Sequence, residues 1–414
     1  MARFGRLLVA LAVISAMLGG PALAAPASEA GGAQRYIVTF PSSEREPSKL
    51  TQRLEAQLGF RADLVYQHAV RGFAGRLTAT QVRLLEQRPD VAAIMPDAVM
   101  HVSAQTVPTG IERIGTLTND TASIDGVDNP LPIDVAVIDT GVDTSHPDLN
   151  VAGGYNCTNS QTGNYRDGAG HGTHVAGTIA ARDNDMGVVG VAPGARLWAV
   201  KVFDNSGSGY VSWFVCGVDW VSAHASTIEV ANFSGSWPGS DTPNCGAGNR
   251  WTADSAHQAI CALVNDDNVP LIVAAGNDSI DASRSLPAAY PETIAVGAIA
   301  DSDGEPGGHG PVTDYGADDT RATFSNYGPV VDIYGPGVNI YSTYNNGGYA
   351  KASGTSMATP HVTGAAALYR INNPASSVAQ VRQWLIDHGE AGSWGSQPLV
   401  NVAEASATPV HDAA

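Results

Sequence analysis

The sequence predicts an α/β fold, an open parallel sheet with helices on both faces, preceded by a small ferredoxin-like α+β unit. Two patterns predict the sheet. Apolar runs at 133–138, 197–203, 229–233, 270–275, 293–299 and 330–334 are nearly continuous, as strands buried on both faces should be. Helical stretches at 172–181, 211–224 and 253–265 fall between them, which is the alternation of an open α/β sheet. A third pattern, strand and helix signals in the order β-α-β-β-α-β before these runs begin, predicts the small unit.

Each segment reads as follows, in chain order. Arg3 and Arg6 precede an apolar run at 7–18, then Gly19, Gly20, Pro21 and the small-residue site Ala22-Leu23-Ala24. These are the three parts of a secretory signal peptide, expected over residues 1–25. The run is shorter than the about 20 residues that span a bilayer, so export and no membrane anchor are expected. Small polar residues form a spacer to residue 33. Residues 35–40 alternate as a strand, and Leu50, Leu54 and Leu58 recur at helical spacing. Residues 64–77 are strand-like with a break at Gly72, 80–87 make a second helix, and 92–102 are extended. A unit of this size between a leader and a larger domain is expected to be a propeptide, residues 33–104. The larger domain is expected over 106–406, closing with an amphipathic helix at 378–388, and a short tail over 407–414.

Composition bounds the function. A chain of 414 residues that is 43% hydrophobic can bury a core of normal size in more than one domain. Its 46 glycines and 15% charged residues fit a loop-rich enzyme better than a helical bundle or a disordered chain. A net charge of −18 argues against a nucleic-acid partner. Four cysteines in an exported chain imply two disulfides. Three pairings are possible; nearness in sequence favours Cys245–Cys261, leaving Cys157–Cys216. The absence of a C-x-x-C pair weakens a zinc site.

Ligands of open α/β sheets bind beyond the carboxyl ends of the strands, and three segments place reactive groups there. Asp139 ends a buried strand before a glycine turn, where a carboxylate is costly unless hydrogen-bonded. His171 stands at the mouth of a helix, and Ser356 opens another. A serine hydroxyl is a poor nucleophile until an imidazole takes its proton. A carboxylate must hold that imidazole in the right tautomer and stabilise its cation. At a helix N-terminus, the Ser356 N–H and the helix dipole face the developing oxyanion. Asn277, in a Gly-Asn turn after another strand, supplies a second donor.

The segments VAVIDTGV (135–142), HGTHVAG (171–177), AAGN (274–277) and GTSMATP (354–360) stand in this order. Together they resemble the subtilisin-like serine proteases, the subtilases, whose catalytic order is also Asp, His, Ser. The likeness runs from about residue 33 to 403 and is nearest to the proteinase K and bacterial extracellular branch. It implies a secreted serine endopeptidase, acting on proteins and peptides through Asp139, His171 and Ser356, with Asn277 and Ser356 as the oxyanion hole. It implies a monomer whose N-terminal unit is its own inhibitor and folding aid, cut autocatalytically near residues 103–106. Substrate is expected to lie as an added strand between Gly207-Ser208-Gly209 and Ser234-Gly235-Ser236, beside Gly276. The second segment departs from the family's Ser-Leu-Gly-Gly. With Gly235 for leucine and Ser236 for glycine, a narrower S1 and a more open S4 subsite are expected, unless Trp237 enters the wall and the alignment slips by one. The resemblance also implies structural calcium (Ca2+) on the Asp332 carboxylate and the carbonyls of Pro291 and Thr293, an oxygen set suited to a hard cation, and no organic cofactor. The acidic loop at 301–319 is either another ion site or simply solvated.

His174 and His361, beside the reactive groups, are expected to pack rather than react. An esterase of the G-x-S-x-G type is disfavoured because Ser356 lies in Gly354-Thr355-Ser356-Met357-Ala358. A metalloprotease is disfavoured because no Glu stands in an H-E-x-x-H pattern at His171. A peptide-binding pseudoenzyme would be expected to lack one of the three groups, and none is missing.

Overall fold

The computed structural model describes residues 33–97, 105–158, 163–242, 245 and 254–403. The expected leader (1–25), the residues around the expected cut (103–104) and the tail (407–414) lie outside the described residues. The chain divides into two compact units, Met1–His101 and Val102–Ala414.

The first unit has the order β1 (Gln34–Thr39), α1 (Pro47–Leu58), β2 (Ala62–Tyr66), β3 (Gly72–Leu77), α2 (Ala79–Glu86) and β4 (Ala93–Pro96). Its sheet runs β2-β3-β1-β4 with every pair antiparallel, the split arrangement predicted from the element order. Pro47 starts α1 where a missing N–H costs nothing. Thr78 and Gln81 form a reciprocal capping box on α2. Leu50 and Leu54 of α1 and Leu85 of α2 pack on Val38 and Phe73 of the sheet.

The second unit begins with α3 (Thr109–Arg113), β5 (Asp134–Asp139), β6 (Val151–Asn156), α4 (His171–Ala180), β7 (Arg196–Lys201), α5 (Val211–Ser222) and β8 (Val230–Phe233). It continues with β9 (Trp237–Pro238), α6 (Ser255–Cys261), β10 (Leu271–Ala274), β11 (Ser285–Leu286), β12 (Ile294–Ala300) and β13 (Thr320–Arg321). The last elements are β14 (Ile333–Pro336), β15 (Ile340–Tyr344), β16 (Gly348–Ala352), α7 (Thr355–Asn372) and α8 (Val378–Asp387).

The main sheet runs β13-β12-β10-β8-β5-β7-β6, with β14 also on β12. All its pairs are parallel except β12 with β13. Successive side chains of a strand face opposite sides, so both sides carry a core. Val135 and Val137 of β5 join α4, α7 and α8 on one side. Ala136 and Ile138 join α5 and α6 on the other. This double burial is the physical reason the strands read as continuous apolar runs. β6 and the β15–β16 hairpin were not among the expected strands. In β6, Gly153 and Gly154 dilute the strand signal; a side chain at Gly153 would strike the Trp198 ring. No helix of the described residues is long and apolar enough to cross a membrane.

Two disulfides are present, Cys157–Cys216 and Cys245–Cys261. The first ties the end of β6 to α5 across a sequence separation of 59, a span over which loop closure restrains the unfolded chain by about 4 kcal/mol. The Cys157→Ser/Cys216→Ser double variant is expected to lose about that much stability in urea unfolding. An unchanged midpoint would show that the bridge does not constrain the fold.

Candidate active site

Asp139 is the last residue of β5 and its side chain is fully buried. Its Oδ1 accepts from the Thr140 N–H at 2.7 Å and lies 2.7 Å from His171 Nδ1. His171 is the first residue of α4 and keeps about a third of its side chain exposed. Two contacts bring the strand end and the helix start together. The Gly172 N–H donates to Thr140 Oγ1 at 2.9 Å. A Cβ on Gly172 would lie only 2.1 Å from the Gly141 carbonyl oxygen and 3.1 Å from Asp139 Oδ1, so only glycine lets the helix approach this closely.

The helix is capped from a distance. Gly170 at its N-cap has no side chain to offer, and Asp167 does the work instead. Asp167 Oδ1 accepts from the Ala169 and Gly170 N–H groups, each at 2.9 Å, and from Thr140 Oγ1 at 2.9 Å. Its Oδ2 accepts from the Thr173 N–H at 3.0 Å and from the Thr173 hydroxyl at 2.6 Å. Five hydrogen bonds to one carboxylate fix the first turn, and with it the His171 ring. Lys201, at the end of β7, is buried and donates to the Thr140 carbonyl at 2.5 Å. The sequence reading missed Asp167, Thr140 and Lys201; Asp-Gly-Ala-Gly just before a helix start was the available signal for the first.

Ser356 is the second residue of α7. Its N–H is one of the first-turn donors that a helix leaves without an internal partner. Pro360 stands inside the same helix and has no N–H to give to the carbonyl four residues back. That carbonyl belongs to Ser356, and the Ser234 hydroxyl donates to it at 3.0 Å. Ser234 Oγ in turn accepts from Asn232 Nδ2 at 3.0 Å, and Asn232 Oδ1 accepts from Thr363 Oγ1 at 2.8 Å. The end of β8 is thereby pinned to the first three turns of α7. The Ser356 hydroxyl donates to the Ser234 carbonyl at 3.2 Å and makes no hydrogen bond to His171 in this structure.

Asn277 follows β10. Its Oδ1 accepts from the Thr355 N–H at 2.8 Å and the Thr355 hydroxyl at 3.0 Å, which turns Nδ2 the other way. A Cβ placed on Gly354 would lie 3.7 Å from Asn277 Nδ2 and 3.7 Å from Ser356 N. Two donors therefore flank one small space. The neighbouring Gly276 donates to Thr355 Oγ1 at 3.2 Å.

Asp139 sets the charge state of His171. Burial opposes the imidazolium, but the Asp139 charge and hydrogen bond outweigh it and raise the His171 pKa. His174 and His361 behave oppositely: burial lowers both to about 4, so they are neutral packing groups. His174 Nε2 lies 2.9 Å from the Ile340 carbonyl, and His361 Nδ1 lies 2.9 Å from the Met357 carbonyl.

Residues 207–209 are exposed in the loop after β7, folded by Asp204, whose Oδ1 accepts from the Ser206 and Ser208 N–H groups. At 234–236, exposure grows from buried Ser234 to exposed Ser236. A Cβ on Gly235 would lie 2.7 Å from the Phe203 ring and 2.8 Å from the Phe233 ring. Those stacked rings occupy the room a larger residue would need. Trp237 packs against Phe214 and Phe233.

Comparison with known proteins follows the same outline. Residues 133–399 match the model of the Subtilase family, and residues 35–103 that of Peptidase inhibitor I9. The chain is 37% identical to Subtilisin NAT of Bacillus subtilis subsp. natto over 383 residues, covering 92% of this chain and 91% of that one. It is 36% identical to an Alkaline protease of Alkalihalobacillus alcalophilus over 405 residues, 95% of each chain. Among solved structures, a cold adapted subtilisin-like serine proteinase matches with a TM-score of 0.56 and 31% identity, over 72% of this chain and 97% of that one.

The calcium seat expected on Asp332, Pro291 and Thr293 does not fit a calcium ion as these residues are arranged. The Arg382 guanidinium of α8 already donates to the Thr293 carbonyl, and its Nε lies 3.7 Å from Asp332 Oδ1. Asp332 Oδ2 accepts from the Ala295 N–H at 2.8 Å. A divalent cation on the same oxygens would meet a positive charge at contact distance. Sequence inspection had no means of finding this partner, 50 residues beyond Asp332. The Arg382→Met variant is expected to lose about 1–3 kcal/mol of stability, read as a lower thermal midpoint that added calcium partly restores. An unchanged midpoint would show that Arg382 is not the counter-ion.

Proposed function

We infer that this chain, which belongs to the subtilase family, is an exported endopeptidase made as a self-processing zymogen, with Ser356 as nucleophile, His171 as general base and Asp139 as its orienting carboxylate. Serine endopeptidase activity comes with the family. The observation that carries the residue roles is the 2.7 Å contact between buried Asp139 Oδ1 and His171 Nδ1. It leaves Nε2, the other ring nitrogen, to serve as the base.

The reaction follows from these groups. Substrate lies extended between 207–209 and 234–236, held by main-chain hydrogen bonds. The Ser356 hydroxyl leaves the Ser234 carbonyl and gives its proton to His171 Nε2 as Oγ attacks the scissile carbonyl carbon. The new oxyanion accepts from the Ser356 N–H and Asn277 Nδ2, both ready before reaction. Loss of one such donor costs about 10²–10³ in kcat, the range measured for the equivalent Asn of a subtilisin. The imidazolium, stabilised by Asp139, returns its proton to the leaving amine. Water then takes the place of Ser356 Oγ by the same steps reversed.

In this reading residues 1–25 are a signal peptide, 33–104 the inhibitory propeptide, 106–406 the catalytic domain and 407–414 a tail. The mature enzyme acts outside the cell as a monomer. The support for the propeptide is the separate compact unit with its own core and its match to inhibitor I9 as far as residue 103. Structural calcium belongs to the reading, and a seat for it other than Asp332 is argued below. Filling of the Gly235 space by Phe203 and Phe233 supports a peptide wall built from those rings rather than a simply widened S4 subsite.

Comparing wild type with Ser356→Ala by intact mass and casein hydrolysis tests the assignment. Wild type is expected to lose the N-terminal unit and digest casein, and the variant to do neither. A variant that matures and digests casein equally well sinks it. The acid limb of the pH profile tests the pairing. His171 must be neutral to act, so kcat/KM rises as pH climbs through its pKa. Because Asp139 raises that pKa, the midpoint is expected above 6.5, the ordinary value. Asp139→Asn is expected to move the limb to lower pH and to cut kcat by about 10⁴; an unmoved limb would rule the pairing out.

A further inference from the structure

The loop between β12 and β13 holds a cluster of buried carboxyl groups of which the catalytic reading makes no use. Asp301, Asp318 and Asp319 are 2%, 5% and 7% exposed. One guanidinium reaches the group, and it is already engaged. Arg113 of α3 donates to Asp319 Oδ1 at 2.9 Å and to both oxygens of Glu390 at 2.7 and 3.0 Å. Asp319 Oδ2 is held by the Gly307 and Gly308 N–H groups. Asp318 is held by the Ser302 N–H and hydroxyl on one oxygen and by the Gly310 N–H on the other.

Asp301 is different. Its Oδ1 accepts from the Gly304 N–H at 3.2 Å, but its Oδ2 is buried and has no hydrogen-bond partner. Buried carboxylate oxygens are paired, hydrogen-bonded or bound to a metal, because the loss of hydration is otherwise uncompensated. One carboxylate oxygen each of Asp301, Asp303 and Asp318 lie within 4.8 Å of one another. That is the spread of oxygens around a cation held at about 2.3–2.6 Å. Asp303 is half-buried and sits on the solvent side, so water can complete the shell from there.

We propose that Asp301, Asp303 and Asp318 bind one calcium ion. The ion supplies the partner that Asp301 Oδ2 lacks and positive charge beyond that of Arg113, which is committed to Asp319 and Glu390. An all-oxygen set of carboxylates on a loop suits calcium, which accepts six to eight ligands in flexible geometry. Calcium is then held in the loop, while a guanidinium occupies the Asp332 position.

The test uses the full chain carrying Ser356→Ala, which prevents self-digestion, after treatment with a chelator. Calcium is titrated by calorimetry, and thermal midpoints are taken with and without it. The parent is expected to bind one ion more than the Asp301→Asn or Asp303→Asn variant. At a calcium concentration about 100 times Kd its midpoint rises by about 3–4 °C, and each variant loses that rise. Without calcium, Asp301→Asn is expected to melt no lower than the parent, because it removes a carboxyl group whose charged form burial already disfavours. Asp332→Asn is expected to keep the full calcium response. The proposal is overturned if calcium binds the parent no better than Asp303→Asn, a change near the surface that spares the fold, or if the calcium response follows Asp332 instead.

Discussion

A carboxylate with no exposed side-chain surface, Asp139, is the constraint around which the site is built. Such a group needs donors, and Oδ1 finds two, one from the turn that ends β5 and one from the ring that starts α4, while Oδ2 has no hydrogen-bond partner. Pairing Asp139 Oδ1 therefore brings a strand end and a helix start into contact. The bare Cα of Gly172 permits that contact, and Asp167 locks it by capping the helix from outside. The same geometry that makes the carboxylate affordable orients the imidazole. Stability and chemistry draw on one set of bonds.

The second half of the site rests on a defect. Pro360 deprives the Ser356 carbonyl of its helical partner, and the vacancy is filled by the Ser234 hydroxyl. A break in the helix ladder thus becomes a link between α7 and the strand that carries residues 234–236. Asn232 and Thr363 extend the link across the sheet–helix interface. On the other side, Thr355 holds the Asn277 amide by its oxygen and so fixes where its nitrogen points. The start of α7, residues 234–236 and the Asn277 amide are aligned by side-chain bonds to residues 355 and 356, not by the loop backbones alone.

Two arginines bridge distant carboxylates away from the site. Arg113 joins α3 to the acidic loop and to Glu390 beyond α8, and Arg382 serves Asp332 and the Thr293 carbonyl. Both bring distant segments of chain together, and each neutralises carboxylates that would otherwise be buried alone or nearly so. Among the described residues, buried carboxylate oxygens without a hydrogen-bond partner remain at Asp139, Asp183 and Asp301, and of these three only Asp301 stands in a cluster of carboxyl groups.

The fold class was legible in the sequence, and so were Asp139, His171, Ser356 and Asn277 as candidate site residues. Double burial imposes continuous apolar runs on the strands, and the chemistry imposes residue types at the strand ends and helix starts next to diagnostic glycines. Both signals are local, so they survive in a linear reading. β6 was not legible, because Gly153 answers to the Trp198 ring and Gly154 to the Ala199 carbonyl rather than to strand propensity. Nor was the reason for Gly235, whose space is taken by Phe203 more than thirty positions earlier in the chain. Tertiary structure alone decided that the Ser234 hydroxyl serves the Ser356 carbonyl, that Arg382 stands where a metal was expected, and that Asp301 is left without a partner. The physical reason is common to all three. A residue's chemistry is written in its own side chain, but its hydrogen-bond and charge partners are set by which remote segments the packed core brings within about 3 Å.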